Sequence, residues 1–103
     1  MSEHLASVEI TNPTGLHARP AVKLTKLAKT FAGAAVQVAL AEAGPWIDAK
    51  SVVKVMAMKA ARGTSIHIRA TGEQGAEALA ALVALVRRDF DEGHASPATD
   101  APA

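Results

Sequence analysis

Residues 65–71, SIHIRAT, alternate apolar and polar side chains more regularly than any other part of the chain. This period of two predicts a β-strand that buries one face and leaves the other in water. Residues 6–11 and 36–40 alternate in a similar way, and the apolar pair Trp46-Ile47 follows a Gly44-Pro45 turn that completes a hairpin. A sheet built from four such strands needs to be covered on one face only.

Segments in which apolar residues recur at helical spacing lie between and after these strands. From Ala18 to a stop at Gly33 the apolar stripe consists of Ala21, Leu24, Leu27, Ala28 and Phe31. A shorter helix begins within residues 48–51 and carries Val52, Val55 and Met56, and a last helix carries Leu79, Leu82, Val83, Val86 and Phe90. The predicted order is β-α-β-β-α-β-α. It gives an α+β open-faced β-sandwich, a four-stranded antiparallel sheet with three helices on one face.

The chain has 103 residues, enough for one domain. We expect that domain over residues 1–91, because residues 92–103 are rich in Ala, Pro and small polar residues and indicate a disordered tail or linker.

The absence of cysteine excludes a disulfide framework, and no spacing of His or carboxylates is typical of a metal site. A net charge of +1 and an aromatic content of 3% argue against nucleic acid as a partner. No apolar run reaches membrane-spanning length, so we expect a cytoplasmic protein without membrane insertion. We also expect the protein to be a monomer.

The stretch PTGLHARPA, residues 13–21, places a histidine where a turn becomes a helix. An imidazole nitrogen can carry a phosphoryl group, and His17 precedes the free backbone N–H groups and the positive dipole end of the first helix. The N–H groups of Ala18 and Arg19 are candidates to support the phosphoryl oxygens, and the Arg19 side chain can neutralise their charge. Pro20 belongs in the first turn because its missing N–H leaves no helical bond unmade.

Residues 15–21, GLHARPA, resemble the active-site signature of HPr, the histidine-containing phosphocarrier family of the bacterial phosphoenolpyruvate-dependent sugar phosphotransferase system. Residues 50–56, KSVVKVM, followed by Arg62-Gly63, resemble that family's short serine-bearing helix and the turn after it. The resemblance runs from Val8 to Phe90 in the same order and spacing. It implies a carrier, not an enzyme, that needs no cofactor. His17 would accept a phosphoryl group on Nδ1 from phosphorylated enzyme I and pass it to a sugar-specific EIIA domain.

The resemblance also implies a docking surface beside His17. Its apolar part would consist of Val52, Val53 and Met56, although at least some of these side chains can equally be core residues of a short helix. Its basic rim would consist of Lys26, Lys29 and Lys54, which steer acidic partners or simply form a solvated face.

Ser51 has two interpretations. In part of the family the matching serine is phosphorylated by a kinase, and the added charge weakens docking. Kinase-regulated members commonly have glycine where this chain has Lys54, and Ser51 is in any case a suitable N-cap for the short helix.

Two other functions remain open at this point. The same fold could serve as a regulatory module that signals carbon or nitrogen status through protein binding, which would also require His17. A nucleic-acid or small-molecule binder fits the low aromatic content less well.

Among the remaining side chains, Trp46 is expected to pack within the hairpin, and His67 is expected to face the open side of the sheet. Thr14 departs from the asparagine that enteric relatives often have there.

Overall fold

The computed structural model describes residues 3–91. Its strands are β1 (Glu3–Glu9), β2 (Ala35–Ala39), β3 (Ile47–Asp48) and β4 (Ser65–Thr71), and its helices are α1 (Arg19–Lys29), α2 (Val52–Ala57) and α3 (Gly75–Arg87). A 3₁₀ turn, Asp89–Asp91, follows α3. The strands form one antiparallel sheet in the order β1-β4-β2-β3. The predicted element order and the open-faced sandwich are therefore confirmed.

The alternation in β4 sets the two faces of the sheet. Ile66 and Ile68 are fully buried, whereas His67 between them and Arg69 after them are half-buried on the opposite face. Ile68 pairs with Ala6 of β1 and with Val38 of β2, so apolar side chains from three strands meet on the helix side. The prediction that His67 faces the open side is confirmed, because the pleat sends neighbouring side chains in opposite directions.

The helices bury the other face. Leu24 and Ala28 of α1, Val55 of α2 and Leu82 of α3 have no exposed surface and belong to one core cluster with the inner strand residues. Apolar residues at helical spacing thus form a single packed layer against the sheet.

Several predicted boundaries differ from the structure. β1 begins and ends earlier than the alternation at 6–11 indicated, and α1 ends at Lys29, before Gly33. The cap of α1 is Thr30, whose N–H and side-chain hydroxyl both donate to the Leu27 carbonyl. These bonds satisfy a helix-end carbonyl and make a glycine stop unnecessary.

The placement of Phe90 on the face of the last helix is wrong. α3 ends at Arg87, and Phe90 lies in the 3₁₀ turn with φ of 58°. Its ring is nevertheless fully buried. The left-handed backbone turns the chain back, which carries the ring into the core after the helix has ended.

The 3₁₀ turn is hydrogen-bonded to residues on both sides of His17, to Thr11 before it and to Lys23 after it. The Lys23 Nζ of α1 donates to the Phe90 carbonyl at 2.8 Å, and the Thr11 hydroxyl donates to the Asp89 carboxylate. Arg88 donates to the Asp91 carboxylate at 2.9 Å, a hydrogen bond that lowers the pKa of Asp91.

Among the described residues, no helix has both the length and the apolar character to span a membrane. The predicted tail at 92–103 lies outside the described residues.

Candidate functional site

The loop before His17 is organised by the buried side chain of Asn12. Its amide Nδ2 donates to the Gly15 carbonyl at 2.9 Å and to the Thr14 hydroxyl at 3.2 Å. The Gly15 N–H donates back to the Asn12 carbonyl at 3.2 Å. Asn12 thereby closes the turn from both its side chain and its backbone, which fixes the path of the chain just ahead of His17.

The loop is also attached to the segment that follows α2. The Leu16 N–H donates to the Ala60 carbonyl at 2.8 Å, and the Leu16 side chain is buried. Gly15 has φ of +68°, and a Cβ built at this position would lie 2.6 Å from the Ala60 oxygen. Only glycine permits both this backbone conformation and this close approach.

Ala18 joins His17 to α1 in an unusual backbone conformation. Its φ of 51° and ψ of −121° correspond to the first central position of a type II′ turn, which strongly favours glycine. The Ala18 carbonyl accepts the first bond of the helix, from the Val22 N–H at 3.1 Å. Alanine here holds a strained conformation directly beside His17.

We expect Ala18→Gly to raise the free energy of unfolding by about 0.5–1 kcal/mol. The strain that it removes, about 1–3 kcal/mol, exceeds the added entropy of glycine in the unfolded chain. Urea denaturation measures the change. Ala80→Gly, at an exposed position in the interior of α3, is the matched control and should destabilise the protein by about 1 kcal/mol. If both variants lose stability equally, Ala18 is not strained.

The start of α1 leaves backbone donors available next to His17. Within residues 3–91, the N–H groups of Ala18, Arg19 and Ala21 make no hydrogen bond, and Pro20 has none to offer. The first turn of α1 contains no acidic residue. No carboxylate within that first turn therefore offsets the positive end of the helix dipole, which favours an anion at this position.

His17, Ala18 and Arg19 are all exposed. The Arg19 guanidinium makes no hydrogen bond or ion pair with another described residue, so it is free to turn toward a group on the neighbouring imidazole. The structure thus brings the predicted acceptor, the predicted backbone donors and the predicted cation together at one solvent-facing helix start.

The predicted docking residues fall into two groups. Val53 is 75% exposed, whereas Val52 and Met56 are half-buried and pack against the core. The three predicted rim residues, Lys26, Lys29 and Lys54, are all exposed. The short helix α2 therefore divides its apolar side chains between core and surface, because six residues cannot bury every one of them.

Ser51 is the N-cap of α2, as its position in the sequence predicted. Its hydroxyl accepts the Lys54 N–H at 3.4 Å, and its backbone is extended. The side chain is half-buried at the edge of the surface that contains Val53.

Sequence reasoning missed two contributors to the site. The sequence pattern before His17 predicts a turn but assigns no role to the Asn12 side chain, and the Ala60 carbonyl carries no side-chain signal at all. An asparagine three residues before a glycine in a turn is the one indication that could have identified the former. Across the described part of the chain, no group of three His, Cys, Asp or Glu side chains is placed to hold a metal ion.

Comparison with known proteins places this arrangement in a class. The family model described as "PTS HPr component phosphorylation site" matches residues 5–88. The phosphocarrier protein NPr of Escherichia coli K12 is 44% identical over 87 residues, which cover 84% of this chain and 93% of that protein. The phosphocarrier protein HPr of Pseudomonas aeruginosa is 41% identical over 87 residues, with the same two shares of 84% and 93%.

Solved structures agree with these relatives. HPr-C-His from Thermoanaerobacter tengcongensis matches with a TM-score of 0.78 and 34% identity, over 89% of this chain and 98% of that one. HPr from Bacillus anthracis matches with a TM-score of 0.73 and 30% identity, over 82% and 96%. Fold and relatives together define an open-faced sandwich of the phosphocarrier class. The chain belongs to the HPr family of the phosphotransferase system, which confirms the resemblance seen in the sequence.

Proposed function

We propose that this protein is a phosphoryl carrier that accepts a phosphoryl group on Nδ1 of His17 from phosphorylated enzyme I and passes it to an EIIA domain. The observation that carries the proposal is the exposed His17 immediately before a helix whose first N–H groups are unpartnered among the described residues. Membership of a family whose relatives are named phosphocarrier proteins supports it.

The chemistry requires little more than this geometry. A lone pair on the imidazole nitrogen attacks phosphorus while the bond from phosphorus to the donor breaks and its electron pair leaves with the donor. Positioning and charge stabilisation dominate such transfers. The N–H groups of Ala18 and Arg19 and the Arg19 guanidinium supply hydrogen bonds and positive charge for the phosphoryl oxygens. The same attack by the acceptor's nucleophile in the next complex regenerates His17.

Successive partners require one exposed surface. Val53, with three quarters of its surface in water, provides an apolar centre for docking, and the exposed Lys26 and Lys29 of α1 and Lys54 of α2 provide positive charge. The bond from Leu16 to Ala60 ties the His17 loop to the chain that leaves α2. Docking on α2 would therefore present His17 to the partner, and the lysines would increase the association rate with acidic surfaces.

Regulation through Ser51 is a second proposal for the same surface. A phosphoryl group on the Ser51 hydroxyl would place a dianion at the N-terminus of α2, beside Val53. The helix end would tolerate that charge, whereas an apolar partner surface would not. Weaker docking is the expected result.

The carrier function is tested by incubation with phosphoenolpyruvate and enzyme I, followed by intact mass measurement. We expect one added phosphoryl group, labile in acid and stable in base. The phosphorylated protein should then stimulate reconstituted sugar phosphorylation. Labelling without any stimulation would contradict the carrier function and favour a regulatory module that binds proteins according to its phosphorylation state.

We expect Arg19→Ala to slow phosphoryl transfer about 10-fold to 100-fold while the fold is retained. The variant removes charge that supports the transferring oxygens, and Arg19 has no structural partner among the described residues. Quench-flow labelling gives the rate, and circular dichroism checks the fold. Arg87→Ala, which removes an exposed arginine of α3, is the matched control and should transfer at the parent rate. Equal rates for all three proteins would remove Arg19 from the mechanism.

A further inference from the structure

The open face of the sheet is partly covered by the chain between β2 and β3. Ala39 of β2 pairs with His67 of β4 and shares its face, yet Ala39 has no exposed surface. The Trp46 ring, at the end of this connection, lies over the Arg69 guanidinium at 4.3 Å from ring centroid to Cζ. The connection therefore folds back across the face that the helices leave open.

Arg69 fixes this arrangement. Its Nε and one terminal nitrogen donate to the Gln37 Oε1 at 2.9 and 2.5 Å, and its Nε lies 3.6 Å from the Glu3 carboxylate. The guanidinium is thus held between two strands, and the cation–π contact places Trp46 on top of it. The ring is positioned by bonds that are independent of the His17 site.

The folded-back connection and the sheet border a half-open cleft of about 530 Å³, within the usual size range for small-molecule sites. It is lined by Leu5, Ala6, Ser7, Glu42, Trp46 and His67. Leu5 is 60% exposed on this face, so the cleft has one aromatic and one aliphatic wall in contact with water.

Three polar groups in this cleft have no hydrogen-bonding partner among the residues that the structure describes. The Ser7 hydroxyl, the Glu42 carboxylate and the His67 imidazole make no hydrogen bond or ion pair with any other residue of the described range 3–91. Together they offer a carboxylate, two imidazole nitrogens and a hydroxyl beside the apolar side chains of the cleft. A few polar groups beside apolar and aromatic walls in one cleft are typical of a ligand site.

We propose that this cleft binds a small planar heterocycle with adjacent N–H donors, the hydrogen-bonding pattern of a guanine ring. The ring would stack on Trp46 and pack against Leu5, while the Glu42 carboxylate accepts two parallel N–H groups. Ser7 and His67 would bond the remaining polar edge. An anionic ligand fits less well, since Glu42 repels it and Arg69 is already bound to Gln37 and Glu3.

The test uses guanosine as the probe and inosine, which lacks the exocyclic amino donor, as its matched control. Trp46 is the only tryptophan and the chain has no tyrosine, so the intrinsic fluorescence reports directly on this cleft. We expect guanosine to change that fluorescence saturably with a Kd of about 1 mM or tighter, and to shift the amide NMR signals of β1 and β4. Inosine should bind about tenfold more weakly.

Glu42→Gln should weaken guanosine binding about tenfold, because the amide offers one acceptor where the carboxylate offers two. Glu73→Gln, at an exposed glutamate that does not line the cleft, is the control and should bind as the parent does. Three results would overturn the proposal: no saturable binding of guanosine, amide shifts confined to α1 and α2, or equal affinities for guanosine, inosine and the Glu42→Gln variant.

Discussion

His17→Ala should abolish phosphorylation by phosphoenolpyruvate and enzyme I completely. His17 is exposed directly before α1, next to the N–H groups that would support the phosphoryl oxygens, and alanine offers no nucleophilic nitrogen. Intact mass after incubation should show only the unmodified protein, where the parent gains one phosphoryl group. The variant should fold normally, because the His17 side chain makes no hydrogen bond or ion pair with any other residue in the described range. The bonds of Asn12, Gly15 and Leu16 hold the loop without it.

The matched control is His4→Gln, which changes a half-buried histidine in β1. It should be labelled to the same extent as the parent. A phosphoryl group that remains on His17→Ala would refute the assignment of the site. It would also leave the guanosine experiment unaffected, since that cleft lies on the opposite face of the sheet.

Phe90→Ala should lower the free energy of unfolding by about 3–5 kcal/mol, the usual cost of removing a fully buried aromatic ring. Phe90 is the largest fully buried side chain of the described domain. Its loss would also release the 3₁₀ turn, whose left-handed residues are held by the ring inside and by Lys23 on the Phe90 carbonyl. Urea or thermal unfolding followed by circular dichroism measures the change.

Phe31→Ala is the comparison for this variant, because Phe31 is only half-buried at the edge of the same core. Its cost should be clearly smaller. If Phe90→Ala is no more destabilising than Phe31→Ala, the turn after α3 does not anchor the core as the structure indicates.

The regular features of the fold could be predicted because they depend on local periodicity. The alternation of Ile66, His67 and Ile68 assigns the two faces of β4 whatever lies around it, and the stripe through Leu24 and Ala28 assigns the buried side of α1. The candidate site could also be predicted from the sequence. Pro20 indicates where a helix starts, and the first N–H groups of any helix lack partners within the helix.

Other features depend on contacts between residues that are distant in the sequence. Ala18 adopts a glycine-like conformation because the loop before it is fixed by Asn12 and by the Ala60 carbonyl. The conformational propensities of single residues do not describe such contacts. The split of α2 into a buried Val55 and an exposed Val53 depends on which side the core occupies.

The class of fold, the order of its elements and the position of the histidine before α1 follow from local sequence, because side-chain periodicity and helix-start chemistry act over a few residues. Packing between distant segments places Phe90 in the core after its helix has ended and stacks Trp46 on Arg69 across the open face. Each placement requires two segments that are distant in the sequence to pack together. Burial of the Phe90 ring and the cation–π contact of Trp46 offset the lost conformational entropy only after this packing has occurred.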